Sequence, residues 1–319
     1  MLLAQAGHAV GIVDNLSNAK LAVLERIRAL AGADMEFLQA DIRDGEALSA
    51  YLEGGRFDCV VHFAGLKAVG ESMEKPLEYY DNNVGGSVAL FKAMQARGVK
   101  HLVFSSSATV YGEPERLPLT EDQPLRPVNV YGATKLVVEQ ILGAHAAADP
   151  TFRCAILRYF NPVGAHPSGR IGEDPRGIPN NLFPYIAQVA TGKRAALRVW
   201  GKDYPTPDGT GVRDYVHVMD LARAHIAALD YLERSQRSIV SNVGTGRGYS
   251  VLEAVKAYEK AAGRPVPIEF HPRRAGDLAE NYADATLARR ELKWEARLGL
   301  DEMCADSWRW QSANPEGYG

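Results

Sequence analysis

A chain of 319 residues, 46% hydrophobic and 24% charged, has a globular composition and the length to bury a sizeable core. Its formal net charge of −3 argues against a surface made for nucleic acid or an anionic membrane, so an anionic substrate has to be met by local arginines. Cys59, Cys154 and Cys304 lack metal-site spacing and are odd in number, and no apolar run nears the roughly 18 residues of a membrane span; reduced thiols in a cytoplasmic chain without a signal peptide are expected.

In chain order, short apolar runs alternate with helical patterns: Val10 to Val13, Phe37 to Leu38, Cys59 to Phe63, Leu102 to Phe104 and Ala155 to Leu157. Strands alternating with helices predict an α/β fold, a Rossmann-like doubly wound parallel sheet. Each run ends in small or polar residues, namely Asp14-Asn15, Asp41-Ile42, Ala64-Gly65, Ser105-Ser106 and Tyr159-Phe160-Asn161, which would line one ligand-binding edge. After Asn161 the texture shifts to loops rich in Pro, Gly and Asn. A first unit is therefore expected over residues 1–160 plus about 210–235, because Val212 to Leu229 looks regular enough to return to the sheet. A smaller C-terminal α/β unit, facing the substrate, would take 161–209 and 236–319.

A dinucleotide fold normally opens with a strand, a Gly-rich turn and a helix. The sequence begins at Met1-Leu-Leu-Ala-Gln-Ala-Gly7, which reads as the tail of such a helix, so the first strand and glycine turn are expected to be missing and cofactor retention to be poor. Asp14 would then close the second strand, placed to accept hydrogen bonds from an adenosine ribose. The other glycine run, Gly244-Thr-Gly-Arg-Gly248, is read as a tight turn with Ser250 capping the next helix rather than as a phosphate cradle.

The chemistry-bearing pattern is Tyr131 and Lys135, four residues apart in a predicted helix from about Val130 to His145, preceded by the strand-like Val99 to Phe104 and Ser105-Ser106-Ser107. Spacing of four puts phenol and ammonium on one helix face. A cation beside the phenol would favour the phenolate and make Tyr131 a general base, with a serine hydroxyl donating to a substrate oxygen.

The blocks Asp14-Asn15, His62 to Ser72, Tyr79 to Asn83, Ser105 to Gly112, Tyr131 to Lys135 and Arg158 to His166 together resemble the UDP-glucose 4-epimerases of the extended short-chain dehydrogenase/reductase group. The resemblance runs from about Leu2 to Tyr318. It implies interconversion of UDP-galactose and UDP-glucose through a 4-keto sugar on tightly held NAD, in a homodimer paired through 76–95 and 130–147. It makes Ser107, Tyr131 and Lys135 catalytic, with Tyr131 as base. The cofactor would lie on Asp14, Asn15, Asp41, Ile42, Phe63, Ala64, Lys67, Asn82, Ser105, Tyr131, Lys135 and Tyr159. The UDP-hexose would lie on Ser107, Asn161, Asn181, Leu182, Trp200, Arg213, Tyr215, Arg274, Asp277 and Asn281. Arg213 and Arg274 suit two phosphates as bidentate donors, and the Trp200 ring suits a uracil. Asn281 stands where some relatives carry a large tyrosine beside sugar carbon 2, so N-acetylated UDP-hexosamines are also expected as substrates.

Two rival readings share these features. A nucleotide-sugar 4,6-dehydratase needs an acidic pair where this chain has Ser107-Ala108, and a chain lacking its first strand could be an inactive scaffold. Neither a metal site nor a nucleic-acid or membrane partner is expected.

Overall fold

The computed structural model describes residues 1–53, 56–179, 181–274 and 276–318. The first half runs α1 (Leu2–Gln5), β1 (Gly11–Asp14), α2 (Ala22–Ala31), β2 (Glu36–Gln39), α3 (Gly45–Tyr51), β3 (Cys59–His62), α4 (Val69–Glu74) and α5 (Pro76–Tyr79). A π-helical turn over Tyr80–Gly85 then leads into α6 (Gly86–Arg97), β4 (His101–Ser107), a 3-10 turn over Ala108–Val110, α7 (Val130–Ala148) and β5 (Arg153–Tyr159). The second half runs β6 (Asn161–Val163), α8 (Leu182–Ala190), β7 (Leu197–Trp200), β8 (Val212–His217), α9 (Val218–Ser235), β9 (Ile239–Val243) and β10 (Gly248–Ser250). It ends with α10 (Val251–Ala262), β11 (Ile268–His271), β12 (Glu280–Asn281), a π-helical turn over Ala288–Leu292 and α11 (Leu300–Ala313).

Strands β3, β4, β5 and β9 form one parallel sheet in that order, and β1 and β2 form a separate parallel pair. Side chains alternate across a strand, so β4 and β5 feed two cores at once. Leu102, Phe104, Cys154 and Ile156 pack towards α3, α6 and α7, in a cluster that Val13 and Ile42 also join. Val103, Ala155 and Leu157 pack towards α9. Burial on both faces explains why these strands read as continuous apolar runs. Because the strands are parallel, Ser105 to Ser107, Tyr159 and the residues after His62 emerge at one edge.

The stretch 212–229 divides in a way its regular texture did not foretell. Its strand β8 joins a smaller sheet with β6, β10 and β12, while α9 packs on the large sheet. β9, from the part expected to face the substrate, pairs with β5 instead. Its partner lies about 80 residues upstream, a pairing that no local pattern encodes.

Helix ends follow their sequence signals. Ser250 caps α10 in a reciprocal box with Glu253, and Gly263 closes it in the left-handed conformation. The C-terminal segment reaches back to the first half: the Arg26 guanidinium on α2 lies 5.6 Å from the Trp310 ring and 4.9 Å from the Tyr318 ring, and donates to Asn314. Lys20 pairs with Asp174 at 2.9 Å, and Arg176 donates to the Ala19 carbonyl at 3.1 Å. The loop after Asp14 is thus tied to residues 170–177 and to the end of the chain.

Candidate active site

Asn129 caps α7 by accepting from the Gly132 N–H at 2.8 Å, which starts the helix immediately before Tyr131. A Cβ on Gly132 would sit 2.7 Å from the Thr109 carbonyl oxygen, so glycine is what lets this helix end press against the turn after Ser107. Tyr131 is fixed on both sides, its N–H donating to Ser72 Oγ at 3.1 Å and its carbonyl accepting from Thr134 Oγ1 at 2.7 Å. Tyr131 and Lys135 lie together on α7, and Lys135 reaches the Ser105 end of β4.

The electrostatics differ from the sequence expectation. Lys135 Nζ donates to the Ser105 carbonyl at 2.7 Å and lies over the Tyr131 ring, 5.8 Å from its centre. Burial therefore dominates: it pushes the Tyr131 phenol well above its ordinary pKa, with Tyr159 and Tyr79 adding to the rise and a hydrogen bond from Ser107 opposing it. Burial also lowers the Lys135 pKa to about 8, against the pull of Glu139 one turn on. In this arrangement burial, rather than the Lys135 charge, sets the direction of the Tyr131 shift.

At the cofactor edge, Asp14 accepts from the Leu16 N–H at 2.6 Å, and Asn15 donates to Asp41 at 3.0 Å. The Arg43 guanidinium holds the Asp41 carboxyl well below the usual carboxylate range. Asp41 is no helix cap; Asp44 fills that role for α3. Ile42 packs in the core with Val13. Phe63 is 56% exposed just past β3, its ring 4.6 Å from His225, and Ala64 beside it is exposed. Lys67 is exposed as well, 3.6 Å from Glu173. Ser105 Oγ and the Tyr159 hydroxyl are hydrogen-bonded to each other. Asp14 at the end of β1, Asp41 past β2, an exposed aromatic ring past β3, a cation and Lys135 are groups that suit an adenosine, a pyrophosphate and a nicotinamide ribose.

On the substrate side, the Trp200 ring stacks on His271 at 4.9 Å and carries the Arg274 guanidinium 5.8 Å from its centre. Arg274 is held by Asp277 at 2.8 Å. Arg213 and Asn281 are register partners on β8 and β12, and Asn281 Oδ1 is enclosed without a hydrogen-bond partner among the described residues. Asn161 is exposed on β6, and Asn181, next to Leu182 at the start of α8, donates to Glu173 at 3.4 Å. Tyr215 is a correction: its ring is 3% exposed and packs on Phe183 at 5.2 Å, so its side chain belongs to the core of the smaller sheet. The run Gly244 to Gly248 is a turn closed by Asp214, which accepts from the N–H groups of Thr245 and Gly246 at 2.8 and 3.0 Å; those donors are spent on a carboxylate.

Comparison with known proteins matches this arrangement. A family model described as GDP-mannose 4,6 dehydratase matches residues 1–307, and the chain belongs to that family. A UDP-glucose 4-epimerase of Bacillus subtilis (strain 168) is 56% identical over 316 residues, which is 99% of this chain and 93% of the relative. The chain belongs to the UDP-glucose 4-epimerase family. A Dictyostelium discoideum enzyme of the same name is 53% identical over 99% of this chain and 92% of its own length. Among solved structures, the UDP-glucose-4-epimerase of Stenotrophomonas maltophila with bound NAD and formylated UDP-arabinopyranose superposes with TM-score 0.96 at 53% identity, over 98% of this chain and 93% of that one. That of Bifidobacterium longum, in complex with NAD+ and UDP, gives TM-score 0.95 at 51% identity, over 99% and 94%.

One residue of this epimerase-family site escaped the sequence reading. Asn83, in the π-helical turn, accepts from the Leu66 N–H at 2.7 Å and donates to the Leu66 carbonyl at 2.9 Å and to Thr134 Oγ1 at 3.1 Å. One carboxamide thereby joins the loop carrying Lys67 to the helix carrying Tyr131. The Asn82-Asn83 doublet was visible, but only the wider π turn decides which amide turns inward. Behind it, His62 bonds Ser87 at 2.8 Å and is pushed down to about 3 by burial and by the charge of Lys135, so it stays neutral. Asn83→Asp replaces two donated hydrogen bonds with acceptor facing acceptor. It should cost about 1–3 kcal/mol in urea denaturation and weaken NAD retention, whereas unchanged values for both would reduce Asn83 to a packing residue.

Proposed function

We propose that this chain interconverts UDP-galactose and UDP-glucose with NAD as cofactor. What carries the reading is Tyr131, Lys135 and Ser107 gathered at the strand edge of a chain more than 50% identical, over nearly its whole length, to UDP-glucose 4-epimerases. When bound, NAD supplies hydride acceptance from sugar carbon 4 and its return to the opposite face, with no net redox change. Tyr131 takes the proton of the carbon-4 hydroxyl and gives it back to the oxygen on the other epimer. Ser107, which lowers the pKa of that phenol, holds the substrate oxygen in line. Lys135 supplies positive charge under the ring and reaches for a ribose hydroxyl. Arg213 and Arg274 hold the diphosphate, Trp200 packs on the uracil, and Asn161, Asn181, Leu182 and Asp277 complete the nucleotide cradle, which leaves the hexose free to present either face. The cofactor lies along Asp14, Asn15, Asp41, Ile42, Phe63, Ala64, Lys67, Asn82, Ser105 and Tyr159.

A wider substrate range is also proposed, because Asn281 Oδ1 is a buried acceptor awaiting a donor beside Arg213, and the amide N–H of a 2-acetamido group is such a donor. Incubation of the chain and added NAD with UDP-galactose, then with UDP-N-acetylglucosamine, should yield the 4-epimer of each. A 4-keto-6-deoxy product would instead identify a dehydratase, and turnover of UDP-galactose alone would confine the enzyme to the simple hexoses.

Homodimer formation fits the same reading: α4, α5, the π turn and the approach to α7 expose Val69, Met73, Leu77, Tyr80 and Val128, with Leu77 at 82%. The three cysteines are free, and among the described residues no helix is long and apolar enough to cross a membrane, which supports a cytoplasmic setting.

A further inference from the structure

The first N–H groups of a helix have no partner within it, and two of those opening α7 are satisfied in different ways. The Gly132 N–H donates to Asn129 at 2.8 Å, the ordinary cap. The Tyr131 N–H instead leaves the helix and donates to Ser72 Oγ on α4 at 3.1 Å. Ser72 is fully buried, and its one hydroxyl proton is spent on the Val69 carbonyl at 2.6 Å, which leaves its lone pairs to accept from the tyrosine. The backbone of the proton-accepting residue is thus held by a side chain 59 positions upstream.

The segment that carries Ser72 is itself clamped. Asn83 holds the Leu66 N–H and carbonyl at 2.7 and 2.9 Å, and the Ala68 N–H donates to the hydroxyl of the buried Tyr79 at 3.0 Å. Between those clamps stands Lys67, its side chain 63% exposed and assigned above to the cofactor. The Ser72 N–H then donates to the Ala68 carbonyl at 3.0 Å, which joins α4 to the second clamp. One short stretch therefore presents a cation at one end and grips Tyr131 at the other. On the opposite side Gly132 presses on the Thr109 carbonyl, which seats α7 against the turn after Ser107. Tyr131 sits between these two supports.

We propose that Ser72 is a positioning residue for the epimerisation: by accepting the Tyr131 N–H it fixes the proton-accepting phenol to the segment that carries Lys67, so that base and cofactor seat keep one geometry. The proposal rests on the assignment of Tyr131 as base. Ser72 is enclosed and acts through the Tyr131 backbone, where a displacement of about 1 Å can cost up to about 10²-fold in rate.

Ser72→Ala removes the acceptor, and Ser72→Cys fills the same space with a sulfur that accepts weakly. One hydrogen bond is a fraction of the stability of a folded domain, so both variants should stay folded and bind added NAD as the unaltered chain does. In steady-state assays with UDP-galactose both should lose about 10–100-fold in kcat while KM stays within about twofold, because the nucleotide cradle is untouched. Full kcat in either variant would overturn the proposal. So would a loss shared with KM, NAD affinity and the unfolding midpoint, which would make Ser72 a packing residue. Tyr131→Phe, assayed alongside, separates this proposal from the reading beneath it. Undiminished turnover in Tyr131→Phe removes the base assignment and the Ser72 proposal with it; a large loss there with full kcat in the serine variants strikes out Ser72 alone.

Discussion

Replacing Tyr131 by phenylalanine should lower UDP-galactose turnover by roughly 10²–10⁴-fold, the usual contribution of a positioned general base. The fold has no reason to suffer, because the bonds that fix this residue to Ser72 and Thr134 run through its backbone. Only the phenol oxygen disappears. The decisive comparison is turnover set against bound NAD and the unfolding midpoint: a large loss in the first with the other two steady assigns the oxygen to chemistry. Undiminished turnover would remove Tyr131 from the mechanism altogether. Burial holds the phenol's pKa high and Lys135 is engaged by the Ser105 carbonyl, so ionising this oxygen requires positive charge to approach it.

The second large effect concerns stability. Arg158 at the end of β5 and Glu139 on α7 pair at 2.6 Å with both side chains only 5% exposed. Ser106 donates to the same carboxylate, and Arg158 also donates to the Tyr111 hydroxyl at 3.1 Å. Tyr111 in turn donates to Asn242 on β9 at 2.7 Å. This chain of bonds crosses directly behind the triple serine. Arg158→Met strands a buried carboxylate and should cost about 3–5 kcal/mol in denaturant unfolding. Adding Glu139→Leu removes the stranded charge and should recover most of that loss. A double variant as unstable as the single one would show that the network's geometry, rather than the uncompensated charge, sets the cost.

What the sequence made legible follows from which interactions are local. The large parallel sheet could be read because Leu102 to Phe104 and Cys154 to Leu157 are buried on both faces and so have no polar phase. The Tyr131 and Lys135 pairing could be read because helical spacing alone aligns them. The smaller sheet could not: Val212 to His217 has ordinary strand composition, and nothing in it specifies that it pairs with Gly248–Ser250 and Glu280–Asn281 rather than with β5. The Lys135 rotamer depends on a carbonyl 30 positions away. Asn83 and Asp214 act through enclosed polar atoms, and enclosure is a property of the assembled chain that a single residue type does not announce. Tyr215, placed at the site by resemblance alone, packs on Phe183 in the core of the smaller sheet, and that burial too belongs to the assembled chain.

The bond between Arg26 and Asn314 spans 288 residues, nearly the whole polypeptide, and it braces the helix that follows the Asp14 loop. During synthesis that loop emerges well before Trp310, Asn314 and Tyr318, so its brace can form only after they follow. A chain stopped before α11 would hold the sheet of β3, β4, β5 and β9 but lack this brace on α2.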